Sequence, residues 1–140
     1  MAPHAYEILE HPADIGFRAF AATLPELYAN AAVAMLSVMG DPSAAESREA
    51  YRIEVTSGDR ESLMVDWLNE VLYWFDGKRI ALREFRIDDF RDDALVATAS
   101  GEPRDAQRHR ARLIVKAVTY HQLKIESRNG LWTAEVYLDI

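Results

Sequence analysis

The sequence has 140 residues, 49% of them hydrophobic, and a formal net charge of -7. A chain of this size and composition can bury a substantial core, so we expect a single domain over residues 1–140. The negative charge disfavours direct binding of bare nucleic acid, and the absence of cysteine excludes disulfides and cysteine nucleophiles. No apolar run reaches the roughly 20 residues that a membrane helix needs, and no secretory signal is visible. We therefore expect a soluble, cytoplasmic protein with no membrane partner.

The first motif is HPADIG, residues 11–16, which lies between the apolar segments YEIL and FRAFAA. Proline and aspartate are common turn residues, so a plain turn between two strands is one interpretation. The other interpretation is that Asp14 binds a ligand. Spacing alone leaves both open.

Two segments carry apolar residues at helical spacing. The first, residues 23–40, opens with Thr23 and Glu26 in the pattern of a capping box. The second runs from about residue 59 to residue 75 and has a wide apolar stripe. Both patterns predict helices that pack in the core. In an alternative interpretation, the second helix offers an aromatic ligand groove lined by Trp67, Tyr73 and Trp74.

Short segments rich in branched or alternating apolar residues predict strands at 51–56, 83–87, 94–99 and 112–118. The clearest signal is a final hairpin, in which LKIESR and LWTAEVYLDI flank Asn129-Gly130. This dipeptide favours a type I′ turn because both residues tolerate positive φ. Strands outnumber helices and do not alternate with them regularly. The predicted fold is therefore α+β, with two helices packed on a largely antiparallel β-sheet in a single compact domain.

The last strand ends in carboxyl groups. Alternation places Ala134, Val136 and Leu138 on the core face, so Asp139 faces the other way. Asp139 is followed by Ile140, whose main-chain carboxylate lies within one residue of it. If HPADIG turns at the same sheet edge, Asp14 adds a third carboxylate. Three such groups suit a hard divalent cation such as Ca²⁺, Mg²⁺ or Mn²⁺.

The segment RDAQRHRAR, residues 104–112, places four arginines around His109. A solvated loop that enters a strand is one interpretation, because charges cluster on surfaces. A patch for phosphate or for an acidic partner is the other.

Five motifs, taken in order, resemble the archease family over nearly the whole chain. They are HPADIGFRAF near the start, DWLNEVLYWFD in the second helix, GEP at 101–103, HRARLIVKAVTYHQL at 109–123 and the terminal YLDI. The resemblance implies a non-enzymatic helper of the RtcB-type RNA ligase, which joins tRNA halves after intron removal. Such a helper promotes guanylylation of the ligase and its multiple turnover in tRNA splicing. In this role the protein contacts RNA only indirectly, through the ligase.

The resemblance also assigns residues. It implies a metal site at Asp14, Asp139 and Ile140, with Ca²⁺ as the family's cation and Mg²⁺ or Mn²⁺ as alternatives. Lys116 matches a family position for activation or partner contact, although an exposed strand lysine is the plainer interpretation. His11 and His121 are weaker, supporting candidates, because such histidines are more often simply packed.

This chain departs from the family at Pro12, where the family usually has threonine after the first histidine. Proline fixes φ, so we expect a stiffer turn there and the loss of any hydroxyl contact.

Two further functions compete with the ligase helper. One is a stand-alone metal-dependent phosphohydrolase, although the sequence shows no Gly-rich phosphate loop, nucleophile elbow or histidine cluster. The other is an RNA-binding chaperone that uses the 104–112 arginine loop.

Overall fold

A computed structural model describes residues 5–10 and 14–140. This part of the chain forms seven strands and two α-helices. They are β1 (Tyr6–Glu10), β2 (Ile15–Ala21), α1 (Leu24–Met39), β3 (Glu49–Thr56), α2 (Arg60–Asp76), β4 (Ile80–Arg91), β5 (Ala94–Pro103), β6 (Ala117–Arg128) and β7 (Leu131–Asp139). A short 3-10 turn, Pro42–Ala44, follows α1.

The strands form two antiparallel sheets, in the orders β1-β2-β7-β6 and β3-β5-β4. Helix α1 contacts three strands of the first sheet and β4 of the second, and α2 contacts β6 on one side and β3 and β4 on the other. Both helices therefore bury residues on more than one face, around one shared core. The predicted α+β class with two helices on antiparallel structure is confirmed. The division into two sheets was not predicted, because alternation within a strand does not reveal its partners.

Helix α1 begins at the predicted capping box, and both helices lie within a residue of their predicted bounds. Thr23 Oγ1 accepts the Glu26 amide at 3.3 Å, and the amide of Gly40 donates to the Leu36 carbonyl at 2.8 Å. Asp59 caps α2 by accepting the Ser62 amide at 2.8 Å. Side chains thus satisfy amides that a helix start leaves without partners. No helix in the described ranges is long and apolar enough to cross a membrane.

The aromatic residues of α2 separate rather than form a groove. Trp67 is fully buried, and its indole nitrogen donates to the Tyr28 carbonyl at 2.8 Å. Trp74 is buried against the ring of Tyr51, and Tyr73 is 55% exposed. The interpretation of α2 as a core helix fits this arrangement.

The final hairpin is confirmed, and the strand predicted at 112–118 is largely wrong. Asn129 and Gly130 have φ of 55° and 77° and connect β6 to β7, as the type I′ signal predicts. Strand β6 begins only at Ala117. Residues 112–116 instead cross from the end of α1, where the Arg112 amide donates to the Met39 carbonyl at 2.6 Å, to the edge of the first sheet. Their branched residues therefore belong to a connecting segment and not to a β-strand.

Candidate functional site

One end of the first sheet brings the start and the end of the chain together. Strands β2 and β7 pair in register with Ile15 opposite Leu138, and Asp14 and Asp139 each lie one residue beyond that pair. Asp14 is half-buried, Asp139 is exposed, and Ile140 is 41% exposed. We call these three residues the acidic edge. Strand β2 therefore begins beside the last residues of β7.

Strand parity places the two aspartates on the outer face of the sheet, away from the helices. On the core face, Val136 and Leu138 are fully buried. On the outer face, Tyr137 is only 4% exposed, because it packs where Gly16 has no side chain. A Cβ at position 16 would lie 2.7 Å from the Tyr137 ring. Glycine thus lets the tyrosine form a floor beside the acidic edge.

The electrostatics of Tyr137 link it to this edge. Burial raises the pKa of the phenol, and the carboxylates of Glu135 and Asp14 raise that pKa further, while Arg18 opposes them. Strand parity also places Asp14 on the same face of the sheet as Tyr137. Asp14 and Tyr137 belong to one polar surface.

Arg18, a cation on this face of the sheet, is already paired. Arg18 donates to Glu7, and it forms an ion pair with Glu135 at 2.6 Å. Within the described ranges, no lysine, arginine or histidine lies within ion-pair distance of Asp14 or Asp139. No side-chain cation of the described residues therefore neutralises the acidic edge.

The donor set of the acidic edge fits a hard cation. Two side-chain carboxylates and the main-chain carboxylate of Ile140 offer only oxygen ligands, which Ca²⁺, Mg²⁺ and Mn²⁺ prefer. In residues 5–10 and 14–140, no three His, Cys, Asp or Glu side chains gather closely enough to hold a metal ion. The predicted set needs two such side chains and a main-chain group. The metal site stays a prediction.

Lys116 lies at the same end of the sheet and on the helix side of it. Its amide donates to the Asp139 carbonyl at 2.8 Å, so its backbone is tied to the acidic edge. Its side chain is exposed and lines a groove against the C-terminal half of α2. Asp139 and Lys116 therefore present opposite charges on the two sides of one sheet end.

The histidine candidates have different outcomes. His11 and Pro12 lie outside the described residues. His121 is exposed, and its ring meets the Tyr137 ring edge to face at 6.2 Å. It lies in a bulge where β6 passes five residues, from Thr119 to Lys124, while β7 passes two. The bulge brings His121 beside the floor of the acidic edge.

The arginine segment 104–112 is organised around a buried carboxylate, Glu102. Arg108 donates to Glu102 at 2.8 Å, and the amide of Glu46 donates to it at the same distance. His109 accepts the Asp105 amide at Nδ1, at 2.7 Å, so Nε2 carries the proton that faces Glu102 at 3.0 Å. The Glu46 amide, Arg108 and His109 together lower the pKa of Glu102 to about 2, although burial opposes them. Both ring nitrogens of His109 are thus used by the fold.

Two more arginines of this segment also serve the fold. Arg112 donates to the carbonyls of Ser37 and Gly40 at the end of α1, at 3.1 and 2.6 Å. The Arg104 guanidinium lies 4.0 Å from the centre of the Phe75 ring. Arg110 alone of the four is exposed with no hydrogen bond or ion pair to another described residue. Three of the four arginines in the segment therefore already contact other parts of the fold.

Asn69 was not predicted as a site residue, but it helps to build the site. Its Oδ1 accepts the amide of Val118 at 3.0 Å and so ties α2 to the start of β6. The available signal was a polar side chain inside the apolar stripe of α2, between Leu68 and Val71. A half-buried asparagine on such a stripe requires a hydrogen-bond partner.

Comparison with known proteins identifies the family. The model of the Archease protein family (MTH1598/TM1083) matches residues 6–140. Protein archease of Methanosarcina acetivorans is 42% identical over 139 residues, which cover 96% of this chain and 95% of that protein. Protein archease of Methanothermobacter thermautotrophicus is 42% identical over 138 residues, with 96% and 98% covered.

Solved structures agree with this result. The solution structure of Methanobacterium thermoautotrophicum protein 1598 has a TM-score of 0.79 at 40% identity, covering 97% of this chain and 99% of that one. The crystal structure of a Thermotoga maritima archease, described as a possible chaperone, has a TM-score of 0.64 at 22% identity, with 94% of each chain covered. The second likeness shows the fold alone. The family model, the curated relatives and the first structure together show that the chain belongs to the archease family.

Proposed function

We propose that this protein is a non-enzymatic activator of an RtcB-type RNA ligase, acting in tRNA splicing in the cytoplasm. In this proposal it promotes guanylylation of the ligase and so allows multiple turnover. The observation that supports the proposal is the β2–β7 register, in which Ile15 pairs with Leu138 and Asp14 and Asp139 each lie one residue beyond that pair. Membership of the archease family supports it, because the sequence resemblance to that family implies this role.

The proposed site for a divalent cation is the acidic edge. Asp14 and Asp139 would supply side-chain oxygens, and Ile140 would supply its main-chain carboxylate. A bound cation would offset negative charge on nucleotide phosphates during loading of the ligase. Without a cation, the adjacent carboxylates repel one another, so cation binding should also stabilise the fold.

In this proposal the residues of the chain bind and orient the cation and the ligase, and none of them reacts chemically. Tyr137 and Gly16 fix the outer face beside Asp14. Lys116 carries an exposed charge that suits an anionic group of the ligase. The net charge of -7 fits a protein that meets RNA only through its partner.

A turnover assay tests the proposal. The ligase is incubated with GTP and an RNA that bears a 3′-phosphate, with and without this protein. We expect product to rise from stoichiometric to catalytic amounts when the protein is added. Equal yields in both arms would refute the activator function. Release of phosphate from nucleotides by the protein alone, with Mn²⁺ or Mg²⁺, would instead support a stand-alone phosphohydrolase.

A further inference from the structure

A second candidate site lies on the helix side of the same sheet end. It is a groove between the C-terminal half of α2 and the residue before β6. We call it the Lys116 groove, and it is lined by Asn69, Leu72, Tyr73, Asp76, Gly77 and Lys116. Its polar groups include hydrogen-bond donors without a described partner, whereas the proposed ligands of the acidic edge are all oxygen acceptors.

Asn69 contributes an amide donor to the groove. Its Oδ1 is used by the Val118 amide at 3.0 Å. Its Nδ2 has no hydrogen bond to any residue in the described ranges, although the side chain is half-buried. A half-buried amide with a fixed oxygen and an unused nitrogen presents an oriented donor.

Lys116 contributes the positive charge. It is exposed and forms no ion pair with another described residue. Its backbone is held from two directions, since its own amide donates to the Asp139 carbonyl and the amide of Val118, two residues on, donates to Asn69. The ammonium of Lys116 therefore has no ion partner among the described residues, while its backbone is held in place.

The walls of the groove are partly apolar. Tyr73 is 55% exposed, and its ring lies over Gly77, where a Cβ would come within 2.4 Å of the ring. Leu72 lies beside it at the lining of the groove. The one acidic residue of the lining, Asp76, is 3.7 Å from Arg104, which offsets its charge.

We propose that the Lys116 groove binds a side-chain carboxylate of the ligase, with Lys116 as the ion partner and Asn69 Nδ2 as the neutral donor. This inference rests on the proposed function and names the chemistry of the ligase surface that docks. One ammonium and one amide match a singly charged group flanked by apolar atoms. Phosphate carries more negative charge than a carboxylate, so the net charge of -7 disfavours phosphate more strongly.

Substitutions of Asn69 separate direct contact from a positioning role. Asn69→Asp keeps an oxygen that accepts the Val118 amide, but it removes the Nδ2 donor and adds a negative charge to the groove. We expect Asn69→Asp and Lys116→Gln each to weaken ligase binding by at least about 10-fold, since each removes a donor of the proposed charge-assisted contact. Lys116→Arg should retain part of the affinity because it keeps the charge. Asp66→Asn is the matched control, since this exposed residue of α2 lies outside the groove and bonds to Ser57.

The readouts are the Kd for the purified ligase, measured by calorimetry, and hydrogen exchange of the Val118 amide. The inference is supported if Asn69→Asp weakens binding while the Val118 amide stays protected and Asp66→Asn binds normally. If Asn69→Asp binds like the unsubstituted protein and Asn69→Ala does not, Asn69 only positions β6 and the contact is refuted. Binding of inorganic phosphate in the groove, seen as NMR shifts of the Asn69 side-chain amide, would overturn the choice of a carboxylate.

The two proposals fail in different ways. If the unsubstituted protein neither binds nor stimulates the ligase, the proposed function itself is wrong. If it does both and the two groove substitutions change nothing, only the groove inference is wrong.

Discussion

The acidic edge and the arginine segment 104–112 are both clusters of charge, and the fold treats them in opposite ways. In the arginine segment, Glu102 is 2% exposed and is surrounded by Arg108, His109 and the amide of Glu46. At the acidic edge, Asp14 and Asp139 lie together without a cation among the described residues. A cluster that satisfies itself stabilises the fold, whereas a cluster left unbalanced is available to a ligand.

The largest effect should come from Asp139→Asn, which breaks the acidic edge. It removes one of the three proposed oxygen charges, so we expect stimulation of the ligase to fall by at least about 10-fold. Without added metal, the melting temperature should hold or rise slightly, because a repulsion between neighbouring carboxylates is removed. A turnover assay and thermal melts measure both effects.

The same thermal melts, repeated with Ca²⁺, can contradict this prediction. Ca²⁺ at about 100 times its Kd should stabilise the unsubstituted protein by about 2.7 kcal/mol through binding to the folded state alone. Asp139→Asn should lose most of that shift. An equal shift in both proteins would show that Asp139 is not a ligand.

Glu102→Gln should give the next largest effect by removing the centre of the arginine segment. The pKa of Glu102 is lowered to about 2 from an ordinary value of 4.5, so its ionised form stabilises the folded state. That stabilisation is complete above pH 4.5 and is lost as the pH falls towards 2. The variant should therefore melt at a lower temperature at pH 7, and the difference should narrow below pH 4.5. Melts from pH 7 to pH 3 check this, and a constant difference would contradict it.

Gly16→Ala tests whether the floor of the acidic edge depends on close packing. An added Cβ would lie 2.6 Å from the Val136 carbonyl oxygen and 2.7 Å from the Tyr137 ring, so the sheet or the ring must shift. We expect a loss of about 1–3 kcal/mol in the free energy of unfolding, as for other overpacked sites. Gly58→Ala is the control, because no atom lies within 4 Å of its added Cβ. Equal denaturation midpoints for the two variants would contradict the packing argument.

These contrasts also show how far the sequence could predict the molecule. The Thr23 capping box and the Asn129-Gly130 turn depend on local geometry, so residue patterns predicted them well. The two-sheet arrangement and the start of β6 at Ala117 depend on pairing between distant segments, which local patterns do not encode. For this reason the strand predicted at 112–118 was mostly wrong.

The candidate site divides in the same way. Its acidic residues were predicted from parity, a turn motif and family resemblance, and Asp14 and Asp139 each lie one residue beyond the Ile15–Leu138 pair. Asn69 was missed because its role requires the packing of α2 against β6. The buried state of Glu102 was missed as well, since its partners come from residues 46, 108 and 109.

The smallest effect should come from Arg110→Gln, which tests the arginine segment and not the acidic edge. Arg110 is exposed and bonds to no other described residue, so its removal should change the free energy of unfolding by less than about 0.5 kcal/mol and leave ligase stimulation intact. Arg112→Gln, by contrast, loses bonds to two carbonyls at the end of α1 and should cost about 1 kcal/mol. Urea denaturation measures both variants. A loss of salt-dependent RNA binding in Arg110→Gln would show instead that one uncommitted arginine suffices for an RNA site, and the arginine segment would then be a functional surface like the acidic edge.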